Sequence, residues 1–403
     1  MTSRWLERPT HVSERPGALP DGFRAAGVAA GLKPSGARDV GLLVSDAPDT
    51  VSAARFTRSG VLAAPVLLTQ ERARLDALRA VVVNAGNANA ATGRRGLEDA
   101  ARVQGAAALA CRVPEDRVAI ASTGVIGVPL DTHAAISGIA RARAELRADG
   151  ADDFAEAIRT TDAFPKSAAL DVELPSGTVR LCAQAKGAGM MSPAFATMLC
   201  FVETDAALAP QTADLLLGVC VKRSFDRISV DGQLSTNDTV ILLASGASAV
   251  TVAPESEDEL RLGEALDWLL RRLALLIVRD GEGATRVGRV VVHGGHEPTV
   301  VAAARAVANS PLVKAALHGG DPNWGRIAQA VGGALHDSAP LPLDIWIEGV
   351  QVCAGGAFVP HEPPELGDEV EYTVGLPGDG AEAEVFFSDL SYDYVRINAE
   401  YTT

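Results

Sequence analysis

Leu181-Cys-Ala-Gln-Ala-Lys186-Gly-Ala-Gly-Met-Met-Ser-Pro-Ala-Phe-Ala-Thr-Met-Leu-Cys-Phe-Val202 is the stretch from which the fold is read. Residues 181–186 are an apolar strand running into a glycine-rich turn, and residues 196–202 form a second strand after it. Similar short apolar runs at 79–83 and 117–121 predict further buried strands. Helical periodicity covers 97–112, 130–148, 263–278, 298–308 and 324–335. Residues 286–293 predict a strand, and from Leu343 the pattern changes to alternating strands at 344–348, 369–374 and 382–387. Residues 238–244 suit helix or strand equally. Strands alternating with alanine-rich helices give an α/β or α+β class, with a candidate domain boundary after residue 283.

Of the 403 residues, 47% are hydrophobic, ample for a sizeable core, and the formal net charge is −15. A net negative field disfavours nucleic acid and anionic membranes as partners. No apolar run approaches the ~18 residues of a membrane span, and the N-terminal stretch has no signal-like apolar region. The five cysteines are odd in number, scattered and free of any C-x-x-C, which suits free thiols in a cytoplasmic setting. His293-x-x-His296 lacks further ligands at metal spacing, so no metal is expected.

Four segments concentrate glycine and small polar residues: 83–93, 121–127, 186–199 and 229–238. Each alone also reads as a tight turn in an alanine-rich chain. No complete G-x-G-x-x-G, Walker or G-x-S-x-G pattern is present, and none of the seven histidines lies in a triad-like motif. A covalent mechanism would then need a base other than histidine. Threonine becomes a competent nucleophile when it is N-terminal, because its own α-amino group, with pKa about 7.7–8.0, can take the hydroxyl proton. An internal threonine reaches that state only if the chain is cut before it.

Lys186-Gly-x-Gly-Met-x-x-Pro-x-x-Ala-Thr-Met-Leu199 resembles the self-cleavage motif of the ornithine acetyltransferases, the glutamate N-acetyltransferases of cyclic arginine biosynthesis. The resemblance runs in order along nearly the whole chain. It includes Gly27-Val-x-x-Gly-Leu-Lys33, Asn84-Ala-Gly-Asn-Ala-Asn-Ala-Ala-Thr-Gly93, Ser122-Thr-Gly-Val-Ile-Gly127 and Thr160-Thr-Asp-Ala-Phe-Pro-Lys166. It continues through Val230-Asp-Gly-Gln-Leu-Ser-Thr-Asn-Asp-Thr239, Asp280-Gly-Glu-Gly-Ala-Thr285, Gly320-Asp-Pro-Asn-Trp-Gly-Arg326 and Asn398-Ala-Glu-Tyr-Thr-Thr403.

The resemblance implies self-cleavage between Ala196 and Thr197, giving fragments 1–196 and 197–403, with Thr197 as nucleophile. It implies an oxyanion hole from the Thr123 hydroxyl and the Gly124 N–H. Substrate contacts fall on Thr160 (Thr161 being the adjacent alternative), Lys186, Thr197, Glu282, Asn398 and Thr403. Lys186 would hold a substrate carboxylate and Glu282 its amine. Acetyl would pass from N2-acetyl-L-ornithine to L-glutamate by a ping-pong route, with acetyl-CoA a second candidate donor and no resident cofactor.

The implied fold is a layered α/β sandwich built from both fragments (about 1–285) with a smaller C-terminal α+β domain (about 286–403). The implied assembly is an (αβ)₂ heterotetramer. The competing reading keeps the fold and makes the protein an N-terminal-nucleophile aminopeptidase or amidohydrolase. Two departures stand out: Ala194-Phe195 where many members carry Asn-Met, and Gln233 where Asp is commoner.

Overall fold

The computed structural model describes residues 3–192, 198–378 and 380–400. Two sheets lie face to face at its centre. The first has six strands in the order Val12–Arg15, Lys166–Leu174, Gly177–Lys186, Leu199–Thr204, Thr239–Ala244, Val51–Phe56. The second has four: Phe23–Val28, Val40–Ser45, Ala80–Asn87, Val118–Val125.

The alternation of side chains across a strand explains the layering. In Ala80–Asn87, Val81 and Val83 point into the space between the sheets, where they meet Phe201, Ile241 and Leu243 of the six-stranded sheet. Ala80 and Val82 point the other way, onto helices Ala64–Arg72, Gly93–Cys111 and Thr132–Glu145. Val240 and Leu242 likewise leave the outer face of the six-stranded sheet to pack on helices Pro210–Arg223 and Glu257–Arg279. The result is four layers, α/β/β/α. Strands buried on both faces read as continuous apolar runs, as these do.

Residues 238–244 therefore resolve as a strand, Thr239–Ala244, because both its edges are taken: Leu199–Thr204 pairs on one side and Val51–Phe56 on the other. The helix expected at 263–278 begins a turn and a half earlier. Ser256 caps it by accepting the Glu259 N–H, and Glu257, Asp258 and Glu259 complement the positive end of the helix dipole.

A third sheet of seven strands takes all the strands from Val287 onward. It packs on helices Glu297–Asn309, Pro311–Gly319 and Trp324–Ala334 around a core of its own. Helix Pro311–Gly319 has no counterpart in the helical periodicity of the sequence. It is short, with Ser310 as cap, Pro311 in the first turn and Gly320 left-handed at its end. One two-residue strand from earlier in the chain, Ile228–Ser229, joins this sheet beside Glu382–Ser388. Among the described residues, no single helix is long and apolar enough to cross a membrane.

Candidate active site

The strands Ala80–Asn87 and Val118–Val125 run parallel and end together, pairing Gly86 with Gly124 at an irregularity in the register. Gly124 has φ +130, and a Cβ there would lie 2.4 Å from Gly86 C, so only glycine fits. Asparagines hold this end in place. Asn84 Nδ2 donates to Asn87 O at 2.8 Å, Ser122 Oγ donates to Asn84 Oδ1 at 2.6 Å, and Asn237 Nδ2 donates to Ala88 O and Ser122 O at 2.7 and 2.9 Å. The glycine- and asparagine-rich segment 83–93 is thus mainly a brace. Only its Ala88 reaches the cavity onto which Thr123 and Gly124 open.

Lys186, at the end of its strand, is buried beside that turn. Its ammonium donates to Thr123 Oγ1 at 3.1 Å and to Thr160 Oγ1 at 2.9 Å. Each hydroxyl accepts from the ammonium, which leaves its own proton free to be given elsewhere. Burial pushes the Lys186 pKa down, and the Asp162 charge, 4.0 Å away, opposes that.

Asp162 in turn accepts from Lys166 Nζ at 2.7 Å, from the Gly187 N–H at 2.6 Å and from the Thr160 N–H at 3.1 Å. Burial works to raise its pKa, but Lys186 and Lys166 outweigh it and hold the carboxyl well below the usual carboxylate range. Lys166 also meets Asp280 at 2.5 Å. Burial raises the Asp280 pKa against the pull of that lysine. Two buried lysines and two acids thus form one network behind the cavity.

Another part of the lining comes from the loop after Arg279 and from the last helix, Tyr392–Glu400. Glu282 is held there. Its N–H donates to Ala188 O at 2.9 Å, and its Oε2 accepts from Asn398 Nδ2 at 2.8 Å. Gly189 lies against its carboxylate, where a Cβ would be 2.7 Å away. Tyr394 belongs to the same part of the lining. Burial, with the charges of Asp231 and Glu282, pushes its phenol up to about 12.

The floor is the segment 231–237, which contributes Asp231, Gln233, Ser235, Thr236 and Asn237. The whole encloses a cavity of ≈ 170 Å³. With a cation and a carboxylate both lining it, it suits a small molecule carrying both charges.

Six residues singled out from sequence thus surround one cavity: Thr123, Gly124, Thr160, Lys186, Glu282 and Asn398, with Thr161 beside Thr160. Ala196, Thr197 and Thr403 lie outside the described residues, as do Ala194 and Phe195. Gln233, the other departure, is on the cavity wall. His293 ends a strand and His296 precedes helix Glu297–Asn309, away from the site.

Asp162, Lys166 and Asp280 lie within the sequence motifs but carry no signal of a role, because nothing in a linear motif says which charges will be buried together. Tyr394 had no motif around it at all.

A model of the ArgJ family matches residues 24–403. Arginine biosynthesis bifunctional protein ArgJ of Geobacter sulfurreducens is 45% identical over 396 residues, covering 95% of this chain and 99% of that one. The protein of the same name from Symbiobacterium thermophilum is 43% identical over 393 residues, covering 95% and 98%. Among solved structures, a chain of the Mycobacterium tuberculosis ornithine acetyltransferase, complexed with ornithine, is 38% identical. That match covers 46% of this chain and 99% of that one, with a TM-score of 0.43.

Proposed function

The chain belongs to the ArgJ family, and on that premise we propose that it is a self-cleaving threonine acetyltransferase of arginine biosynthesis. The Thr197 hydroxyl attacks the Ala196 carbonyl, the C–N bond breaks, and water hydrolyses the resulting ester. This leaves fragments 1–196 and 197–403 with Thr197 as a free N-terminus. Its amine then takes the proton of its own hydroxyl, which attacks the acetyl carbonyl of N2-acetyl-L-ornithine. Thr123 Oγ and Gly124 N–H receive the oxyanion. Ornithine leaves with a proton, L-glutamate enters, and its amine takes the acetyl group from the ester.

The observation that carries this reading is the meeting of Lys186, Glu282 and Thr123–Gly124 around one cavity. Lys186 and Glu282 there suit the carboxylate and the ammonium of an amino acid. Thr160, Asn398 and Thr403 complete the substrate contacts. The chemistry calls for no resident cofactor, and acetyl-CoA is the alternative acetyl donor. We further read residues 1–285 as the catalytic unit, residues 286–403 as the smaller one, and the assembly as a cytoplasmic (αβ)₂.

The test is a denaturing gel beside an acetyl-transfer assay. Active protein runs as two bands. Thr197→Ala runs as one and transfers nothing. A fully active uncut chain sinks the proposal, and acetate release that ignores glutamate favours hydrolysis instead.

A further inference from the structure

One short segment, 229–239, hydrogen-bonds to three separate parts of the site. It touches the chain before the undescribed residues 193–197, the chain after them, and the end of the strand that carries Thr123.

On the first side, Asp231 accepts the Met190 N–H at 2.6 Å and the Met191 N–H at 2.8 Å. Met191 O accepts in return from the N–H groups of Val230, Asp231 and Gly232 at 3.2, 3.3 and 2.8 Å. The grip holds Met190 at φ +58, a left-handed conformation that L side chains rarely adopt. On the second side, Asp238 accepts the Met198 N–H at 3.0 Å, and Thr239 N–H donates to Met198 O at 3.2 Å. Asp238 is fully buried. Between the two acids, Asn237 ties the segment to Ser122 O, one residue before Thr123.

We propose that Asp231 and Asp238 are positioning residues that set the two arms flanking the 196–197 bond against the Thr123–Gly124 donors, both before the chain is cut and after. This rests on the self-cleavage reading above. The reason is geometric. An attack of Thr197 on its neighbour's carbonyl needs the arms in one register, and a misplacement of ~1 Å can cost ~10²-fold in rate.

After the cut, each fragment gains a new end beside the cavity, and free ends fray unless tied down. Asp231 ties the end that follows Gly189 and Met190, both of which line the cavity. Asp238 ties the end that begins at residue 197. Neither acid touches the reacting atoms in this role; each acts through the backbone it holds.

The two acids predict different patterns of rescue. Burial pushes the Asp238 carboxyl well above its usual range, against the Met198 N–H and Lys186, so it is suited to act as a neutral acceptor. Asp238→Asn keeps an acceptor oxygen, and Asp238→Ala keeps none. Asp231 uses both oxygens, so Asp231→Asn keeps only part of its grip.

The experiment is pulse-labelled cell-free synthesis of the full chain, following conversion to two fragments. It is paired with thermal midpoints and with kcat and KM of whatever protein is cut. Asp238→Ala is expected to slow cleavage by about 10²-fold, with Asp238→Asn recovering most of the loss. Asp231→Ala is expected to slow cleavage and, in the cut enzyme, to raise KM by about tenfold while kcat changes less. Asp231→Asn should fall between.

If Asp238→Ala fails to fold, the Asp231 pair, at a half-buried turn, carries the same test. Wild type cutting normally while the alanine variants also cut at its rate overturns the inference alone. Asparagine variants slowed as much as the alanine ones overturn it as well. A wild-type chain that never cuts overturns both the inference and the reading beneath it.

Discussion

Lys186 Nζ donates to Thr123 Oγ1 at 3.1 Å, across 63 residues of sequence. The contact joins the six-stranded sheet to the four-stranded one at the cavity. It also fixes the direction of the threonine hydroxyl: an oxygen that accepts from an ammonium must turn its own proton away. In the proposed reaction the same cation would attract a substrate carboxylate and polarise the hydroxyl of the oxyanion hole. Both roles depend on burial, since a solvated lysine would give its bonds to water.

Thr123→Val keeps the shape and removes the hydroxyl. It is expected to lower kcat for acetyl transfer by about 10²–10³-fold, or roughly 2.7–4 kcal/mol, with KM changing little. Thr123→Ser should restore most of the rate. Steady-state kinetics with N2-acetyl-L-ornithine and L-glutamate decide it, and an unchanged kcat in Thr123→Val would remove that hydroxyl from the mechanism.

Asp162 lies between Lys166 and Lys186, and Asp162→Ala leaves Lys166 with Asp280 as its remaining ion-pair partner and takes from Lys186 the acid nearest it. Breaking a buried network at one partner costs about 3–5 kcal/mol, so a large fall in thermal midpoint is expected at pH 7. The pH sign follows from the depressed folded pKa. The contribution is present above the ordinary aspartate pKa of about 3.9 and is lost as pH falls toward the lower folded value. Between about pH 4 and pH 2, wild-type stability should drop more steeply than that of the variant.

Lys314 is fully buried, donates to Ser388 O and lies over the Phe387 ring at 5.2 Å. Burial lowers its pKa to about 7, with Asp231 and Asp389 opposing. The unfolded lysine titrates near 10.4, so between about pH 7 and 10.4 the unfolded chain binds more protons and stability should rise with pH. Lys314→Met should flatten that rise and gain most relative to wild type at pH 6. Denaturant midpoints measured from pH 6 to 10 test it, and parallel curves for the two proteins would show that Lys314 does not titrate in the window.

Much of the fold was legible because buried strands need apolar runs and amphipathic helices need apolar faces. Residues 79–83, 117–121 and 181–186 read correctly for that reason. Residues 238–244 did not resolve, because a short run buried on all sides has no period to betray it. The choice was made by the two strands that flank it. Helix Pro311–Gly319 was missed because nine residues give periodicity too little length.

The site divides in the same way. Thr123, Gly124, Thr160, Lys186, Glu282 and Asn398 lie in short motifs, so the sequence alone could nominate them and tie the chain to its family. It could not show that Lys186 is paired with Thr123 and Thr160, or that Asp162 shares its charge between two lysines. Nor could it show that one segment grips both arms around residues 193–197. Those are long-range contacts, and their strength comes from exclusion of water. Burial is a property of packed layers, so only the tertiary structure decides which polar groups become strong partners and which stay solvated.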